Sequence, residues 1–251
     1  MRESDFVGGF AKGLKVIEAF GEESPRLSIA DVSRHTGLDR ATARRCLLTL
    51  ADLGFAHYDG KFFSLTPRIL RLGHSYLSAT PLPKIVQPYL DQLSEAVGQS
   101  ASVSVLDGGE IVYIARASLR RVMSISLTTG SRLPAYCSSM GRVLLASRPE
   151  QEARDILGRG NLRPLTRYTR FEKDDLIEEI RSVRQQGFAV IDQELELGLC
   201  SIAVPLINSR QATVAALNIG APAAQIDASE LPQRFLEPLQ AVALSLRPLL
   251  A

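Results

Sequence analysis

Apolar residues recur at helical spacing near the start of the chain. Leu14, Ile17 and Phe20 share one side of a helix that begins at about residue 12 and ends near Gly21. Residues 22–27 are mostly polar and connect this helix to the next. The pattern therefore predicts one amphipathic helix whose apolar side packs behind the elements that follow.

A short helix, a turn and a longer helix are predicted within residues 28–53. Ser28 can cap the short helix, and Gly37 ends it because glycine readily takes the left-handed conformation that a sharp reversal requires. The longer helix is predicted to start at Asp39 as its N-cap and to stop before Gly54.

The longer helix has an apolar side and a basic start. Its apolar side consists of Ala43, Cys46, Leu47, Leu50 and Leu53. Its first two turns carry Arg40, Thr42, Arg44 and Arg45. An amphipathic helix with arginines is, by itself, usually only a solvated helix. The elements around it change that interpretation.

Two short strand patterns at residues 55–58 and 61–65 flank Asp59-Gly60, a dipeptide suited to a two-residue hairpin turn with Lys61 at its tip. Helix, turn, basic helix and hairpin within fewer than forty residues predict a winged helix-turn-helix, which places one helix in the major groove of DNA. The predicted DNA contacts are Arg40, Thr42, Arg44, Arg45 and Lys61.

The next segment predicts a linker. Thr66-Pro67 opens a helix with apolar residues on more than one side, so part of it should bury against another surface, such as its twin in a dimer. Two prolines within residues 80–83 end this helix. We therefore predict a DNA-binding domain at 10–66, a linker helix at 67–83 and a second domain at 84–251.

The second domain mixes helical and alternating patterns. Helices are predicted at 85–97, 138–147, 149–157 and 172–186, and strands at 101–106, 110–115, 122–127, 188–191, 201–207 and 212–219. The last segment is apolar and helical, with interruptions at Pro232, Pro238 and Pro248. Neighbouring strands joined by short turns predict an α+β domain with a mainly antiparallel sheet.

Composition adds limits to this picture. The net charge is only +2, and 22% of residues are charged, which is typical of a globular protein. Cys46, Cys137 and Cys200 form no C-x-x-C pair, so we expect free thiols, no metal site and no cofactor. No apolar run approaches the roughly 18 residues of a membrane helix, and we expect a cytoplasmic protein without a membrane partner.

Residues 128–146 are the candidate ligand site. Free N–H groups at a helix start through Ser138, Ser139 and Met140 can cradle a carboxylate, and Arg132 and Arg142 can add positive charge. The alternative is that Ser138 only caps the helix and Tyr136 is a half-buried core residue. Ser201 and Asn218, on late apolar strands, either are satisfied within the sheet or face the same cavity.

Several stretches together resemble the IclR family of bacterial transcription regulators. They are the Ala11-Lys12-Gly13-Leu14 start, the helices at 28–53, the Asp59-Gly60 wing, GSRLPAYCSSMGRVLLA at 130–146 and ELGLCSIAVP at 196–205. The match spans nearly the full length. The stretch from residue 125 to residue 146 resembles the subgroup that governs protocatechuate, 4-hydroxybenzoate and β-ketoadipate-pathway catabolism.

The resemblance implies an α+β two-domain protein with a winged helix-turn-helix, a linker helix and a C-terminal GAF-like effector-binding domain. It implies double-stranded operator DNA, a small aromatic or dicarboxylic acid effector, and a homodimer or homotetramer. Effector contacts would lie around residues 136–140 and at Asp192, Ser201 and Asn218. Effector binding would then shift the spacing of two winged domains through the helix at 67–79.

Two other classes of function are open at this point. The chain could be a hydrolase or transferase that uses Cys137, Cys200, Ser138 or Ser139 as nucleophile. No histidine follows His74, so the base would have to be a carboxylate such as Asp192 or Glu194. The winged domain could also be a protein-interaction module, which salt-insensitive binding would indicate. We expect a regulator with no catalytic residue.

Overall fold

The computed structural model describes residues 6–21, 23–118 and 127–250 of the 251-residue chain. The chain divides into two compact units, Met1–Thr80 and Pro81–Ala251. The division falls within the predicted two-proline segment, three residues before the predicted boundary. Most of the strand predicted at 122–127 lies outside the described residues.

The first unit is a winged helix-turn-helix. Its elements are α1 (Gly8–Glu18), α2 (Ile29–Thr36), α3 (Arg40–Asp52), β1 (Ala56–Tyr58) and β2 (Phe63–Leu65). The core between them is apolar, and Val16, Val32, Ala43, Leu47 and Phe63 are fully buried in it. The predicted order of helix, turn, helix and hairpin is confirmed.

Side chains at the helix ends fix the turn between α2 and α3. The Ser28 hydroxyl accepts a hydrogen bond from the Asp31 N–H (3.2 Å), and the Asp31 carboxylate accepts one from the Ser28 N–H (3.0 Å). Gly37 ends α2 with a left-handed φ of 68°. Asp39 caps α3 by accepting from the Thr42 N–H at 2.8 Å. The predicted caps are confirmed.

Two details of α3 differ from the prediction. Leu53, expected on the buried side, is 51% exposed because it lies at the C-cap, beyond the last buried turn. Thr42, expected among the DNA-contacting residues, is 7% exposed because it faces inward beside Ala43.

The hairpin loop is longer than predicted. Tyr58 pairs directly with Phe63, so four residues, 59–62, form the loop in place of a two-residue turn. The Asp59 carboxylate accepts from the N–H groups of Phe62 (2.8 Å) and Lys61 (3.0 Å), which holds the loop closed. These donors, with Arg26 nearby, lower the pKa of Asp59 to about 2. Lys61 is exposed in this loop.

The linker begins with a turn of 3-10 helix at Pro67–Ile69 and continues as α4 (Leu70–Ala79). The Thr66 hydroxyl accepts from the Arg68 N–H (3.3 Å) and donates to the Gly54 carbonyl (2.6 Å), which ties the linker to the end of α3. Leu70, Leu72 and Tyr76 are each about half exposed or more. This exposure agrees with the prediction that part of the linker helix packs against another surface.

The second unit is an α+β domain. Its elements are α5 (Leu82–Val97), β3 (Ser100–Asp107), β4 (Glu110–Ala117), β5 (Arg132–Pro134), α6 (Ser139–Ala146), α7 (Glu150–Arg159), α8 (Lys173–Gln186), β6 (Ala189–Asp192), β7 (Leu199–Ile207), β8 (Thr213–Pro222) and α9 (Leu231–Leu246). In the described residues, six strands form one antiparallel sheet in the order β5-β4-β3-β8-β7-β6. The predicted antiparallel sheet is confirmed, and β5 is a short strand that the pattern did not indicate.

Both faces of this sheet are covered. One face packs against α5 and α9, and the other packs against α6, α7 and α8. Side chains therefore alternate between two cores: Ile202 and Val204 of β7 belong to the first, and Ala203 between them belongs to the second.

Helix α9 runs through Pro238, so the predicted interruption there is wrong. A proline in a helix interior removes one backbone hydrogen bond and costs about 3 kcal/mol. Burial of the apolar side of α9, with Leu231, Phe235, Leu239 and Leu246 at 5% exposure or less, offsets that cost.

The start of α6 packs directly against the backbone of the residue after β5. A Cβ built on Gly141 would lie 2.2 Å from the Ala135 carbonyl oxygen and 2.4 Å from its Cα. No side chain fits at position 141 without moving α6 away from that backbone. The glycine therefore sets how closely the helix approaches the sheet edge.

We expect Gly141→Ala to lower the free energy of unfolding by about 2 kcal/mol or more, because the steric overlap exceeds the roughly 1 kcal/mol that alanine gains in a helix. Urea denaturation measures the change. Gly220→Ala is the matched control, since its Cβ would meet only the Leu199 Cδ1 atom at an ordinary 3.8 Å. Equal stability of the two variants would contradict the predicted overlap.

Candidate functional site

A polar cavity lies between the sheet and the start of α6. The sheet contributes Ser100, Ser102, Tyr113, Arg116, Ile191, Leu199, Ser201, Asn218 and Gly220, and the opposite wall contributes Cys137, Ser138, Ser139, Met140 and Leu195. The space is tight, with about 30 Å³ open to the centre of a water-sized molecule. Buried polar side chains need hydrogen-bond partners, so a cavity lined by this many of them is a candidate ligand-binding site.

Strand register places the polar residues of the sheet in one row. Ser102 of β3 lies opposite Arg116 of β4 on one side and opposite Asn218 of β8 on the other. Directly opposed residues share a face of an antiparallel sheet, so all three face α6. Gly220, in the neighbouring row opposite Ser100 and Ser201, adds no side chain and leaves the cavity its depth.

A β-bulge brings Arg116 to this face. Between Val103 and Ser104 the register of β3 against β4 shifts, so that Ile114 is an extra residue in β4. Tyr113 and Arg116 are three positions apart and would face opposite sides of a regular strand. Because of the extra residue, both face the cavity.

Arg116 is half-buried and has no acidic partner among the described residues. Its Nη1 donates to the Ser102 hydroxyl at 3.2 Å, so the guanidinium lies across β3. Burial lowers the pKa of Arg116 from its ordinary value, although arginine stays charged near neutral pH. A half-buried cation without a carboxylate partner in the described residues is suited to binding an anion.

The start of α6 faces the same cavity. Ser138 is its N-cap and accepts from the Gly141 N–H at 3.3 Å. Ser201 donates to the Ser139 hydroxyl at 2.9 Å, which joins β7 to α6 across the cavity. The N–H groups of Ser139 and Met140 belong to the first helical turn, where no helical carbonyl precedes them. Ser138 thus both caps the helix and lines the cavity.

Five of the predicted ligand residues meet here, namely Ser138, Ser139, Met140, Ser201 and Asn218. Three others lie elsewhere. Arg132 is exposed and pairs with Glu110 (2.7 Å) and Asp107 (2.8 Å). Tyr136 donates to the Arg163 carbonyl (2.7 Å) and lines a different cavity. Asp192 is exposed at the end of β6. Their predicted position in the cavity is corrected accordingly.

Arg142 also lies outside the cavity wall, and its charge is compensated within the protein. It is 1% exposed, donates to Glu194 at 2.6 Å and lies 3.5 Å from Glu179. Its Nε donates to the Tyr136 carbonyl at 3.1 Å. The anion that offsets a cation in the first turn of α6 is therefore an internal carboxylate.

Four cavity residues with polar side chains were not predicted from the sequence: Ser100, Ser102, Tyr113 and Arg116. A signal was present, because serines alternate with alanine and valine at residues 100–105. A strand with a polar row and covered faces on both sides must hold its hydroxyls against something polar. For Arg116 the bulge hid the signal, since the alternation in β4 does not continue through it.

The buried thiols are poorly suited to nucleophilic chemistry. Burial, with a smaller effect of the Glu194 carboxylate, raises the pKa of the Cys137 thiol to about 12. Burial also raises the pKa of Cys200 to about 11. Within the part of the chain that the structure describes, no three His, Cys, Asp or Glu side chains are grouped to hold a metal ion.

The second candidate surface is on α3 and the hairpin of the first unit. Arg40, Arg44 and Arg45 are exposed on α3, and Lys61 is exposed in the loop. Thr42 is buried, but its hydroxyl accepts from the Arg45 Nη2 at 3.3 Å. Thr42 therefore supports the position of Arg45 and is not itself on the surface.

No helix in the described ranges is long and apolar enough to span a membrane.

Comparison with known proteins gives the family. Residues 10–60 match the IclR helix-turn-helix domain, and residues 74–247 match the bacterial transcriptional regulator IclR C-terminal domain. The chain belongs to the IclR family. It is therefore a DNA-binding transcription regulator, and the enzyme and protein-interaction alternatives are set aside.

Relatives within this family are close. The chain is 47% identical to the Pca regulon regulatory protein of Pseudomonas putida over 93% of this chain and 81% of that protein. It is 37% identical to the p-hydroxybenzoate hydroxylase transcriptional activator of Acinetobacter baylyi, over 99% and 94%. It also resembles a double mutant of the Acinetobacter PobR inducer-binding domain solved with 3-hydroxybenzoic acid (32% identity, TM-score 0.64, 67% of this chain and 98% of that chain).

We expect Glu194→Gln to lower the free energy of unfolding by about 3 kcal/mol, because it leaves the buried Arg142 without its nearest charge partner. Glu110→Gln is the control, since its partner Arg132 is exposed and such pairs contribute about 1 kcal/mol or less. Urea denaturation of both variants checks the difference. If Glu194→Gln is as stable as Glu110→Gln, the buried pair does not hold the cavity wall.

Proposed function

We propose that this regulator binds operator DNA through α3 and the hairpin loop, and that an aromatic carboxylic acid in the cavity of the second unit controls it. The observation that supports the effector most directly is Arg116, a half-buried cation with no acidic partner among the residues described. A carboxylate there would receive charge-assisted hydrogen bonds, which are the stronger kind.

Other features of the cavity favour the same ligand class. The first-turn N–H groups of α6 add favourable dipoles for an anion. Tyr113, Met140 and Leu199 supply apolar and aromatic surface for a ring. Arg116 is the one cationic side chain in the described lining, which favours a monocarboxylate over a dicarboxylate.

The relatives support this ligand class. One is named for p-hydroxybenzoate hydroxylase, one for the Pca regulon, and the solved double mutant of the PobR inducer-binding domain holds 3-hydroxybenzoic acid. We infer that the genes under control of this protein serve aromatic-acid catabolism. We also infer that the protein itself is cytoplasmic. The cavity would have to widen on binding, because its present free space suits little more than water.

We further infer that the protein acts as a homodimer or homotetramer. The exposed apolar residues Phe10, Leu70 and Leu72 of the first unit support self-association. Effector binding would change the spacing of two winged domains through the helix at 67–79. This requires that the effector bind the DNA-competent and DNA-incompetent states with different affinity.

Arg45→Ala is expected to weaken operator binding on the order of tenfold and to relax sequence preference, because Arg45 is exposed in the first half of α3. Fluorescence anisotropy against promoter fragments at several salt concentrations measures both effects. Arg132→Ala, an exposed arginine of the other unit, should leave operator affinity unchanged. Binding that does not weaken as salt rises would contradict the DNA-contacting surface.

Arg116→Met is expected to weaken binding of 4-hydroxybenzoate on the order of 10- to 100-fold, because it removes the charge-assisted hydrogen bonds to the carboxylate. Isothermal titration calorimetry measures the affinity, and circular dichroism confirms folding. Arg132→Met removes an arginine outside the cavity and should keep wild-type affinity. If both variants bind the acid equally well, Arg116 is not the carboxylate partner.

A further inference from the structure

We propose that Asn218 selects the effector by its hydroxyl group, through a hydrogen bond from a hydroxyl meta or para to the carboxylate into the Asn218 Oδ1 atom. The inference rests on the proposed binding of an aromatic acid at Arg116. It adds a second point of recognition, and it predicts which aromatic acids are bound and which are rejected.

The Oδ1 atom of Asn218 is a buried acceptor without a donor. The residue is 8% exposed, and Oδ1 has no hydrogen-bond partner within residues 6–21, 23–118 and 127–250. A buried polar atom left unpaired costs about 1–3 kcal/mol, so such atoms in a ligand cavity point to a missing partner. The missing partner is a donor, because a carbonyl oxygen only accepts.

The neighbouring side chains do not provide that donor. Ser102, directly opposite Asn218, accepts from the Arg116 guanidinium, and its hydroxyl does not lie in hydrogen-bonding position to Oδ1. Ser201 donates its hydrogen to Ser139. Ala203, on the other side of Asn218, has no polar side chain. Because no described residue donates to Oδ1, we assign the donor to the molecule that fills the cavity.

The row of strands sets the distance between the two recognition points. Arg116 and Asn218 flank Ser102 on successive strands, so their Cα atoms are two strand spacings, or roughly 10 Å, apart. The Arg116 side chain reaches back over Ser102, which brings the guanidinium nearer to Asn218. A benzene ring with its carboxylate on Arg116 can direct a meta or para hydroxyl towards Oδ1.

An ortho hydroxyl does not fit this arrangement. It lies next to the carboxylate and donates to it within the same molecule, so it points at the Arg116 end of the cavity. An acid without a hydroxyl leaves Oδ1 unpaired, and a methoxy group places a second acceptor against it. A site that hydrogen-bonds a ligand hydroxyl rejects analogues without it far more strongly than an apolar site does.

The wild-type protein and a ligand series test the proposal first. Calorimetry with full-length protein compares 4-hydroxybenzoate and 3-hydroxybenzoate with benzoate, 4-methoxybenzoate and 2-hydroxybenzoate. We expect the first two to bind at least about tenfold more tightly than the other three. The 4-amino analogue keeps a donor and should bind better than the methoxy analogue.

Asn218→Leu tests the residue itself. It keeps a similar volume and removes the acceptor, so the ratio of affinities for 4-hydroxybenzoate and benzoate should fall to about threefold or less. Ser104→Ala is the matched control, since this buried serine lies on the same face of β3 and contacts Met140. It should keep the wild-type ratio. Asn218→Ser is a second, smaller variant that should also reduce the ratio.

The outcomes separate the two levels of the proposal. If the wild type binds benzoate as tightly as 4-hydroxybenzoate, or if Asn218→Leu keeps the full wild-type ratio, the role of Asn218 is overturned while acid binding at Arg116 stands. If folded wild-type protein binds none of these acids, the proposed function and the role of Asn218 both fail.

Discussion

The ion pair between Arg142 and Glu194 is the interaction on which the cavity depends. Arg142 lies in α6, whose start forms one wall, and Glu194 lies in the loop between β6 and β7, which contributes Leu195. Each partner is almost fully buried, so the pair is favourable only in this geometry. The Arg170 N–H also donates to Glu194 at 3.0 Å, which adds a third segment. Three separate stretches of chain therefore converge on one carboxylate.

Two arginines in the same domain show how a structural charge differs from a binding charge. Arg142 has carboxylates within the protein and is thereby committed to the fold. Arg116 donates to a serine hydroxyl and pairs with no carboxylate among the described residues, which is the basis for proposing it as the ligand's partner. The same distinction applies to the amides and hydroxyls of the cavity: Ser201 is paired with Ser139, whereas the Asn218 oxygen is not. The proposed ligand contacts are the groups whose charge or hydrogen bonding the described residues do not satisfy.

The sequence predicted features that depend on neighbouring residues and failed where distant residues decide. The caps at Ser28 and Asp39 and the reversal at Gly37 are local, and each was correct. The hairpin loop was predicted too short because its length follows from the pairing of Tyr58 with Phe63. The partner of Arg142 is 52 positions away, so no local pattern could separate a buried ion pair from a cavity charge. Five of the eight predicted ligand residues line the cavity. Three of them lie together at the start of α6, and the other two lie on the neighbouring strands β7 and β8.

The bulge in β4 has a consequence for how such cavities diversify. Side chains beyond an extra strand residue exchange faces, so the length of one strand, and not only its composition, decides which residues meet the ligand. If β4 kept its length but paired with β3 without the bulge, Arg116, three positions after Tyr113, would face the core shared with α5 and α9, and its neighbours would face the cavity. Two strands with the same residues, one bulged and one regular, would therefore present different side chains to the ligand, and a position-by-position comparison of their sequences would not show the difference.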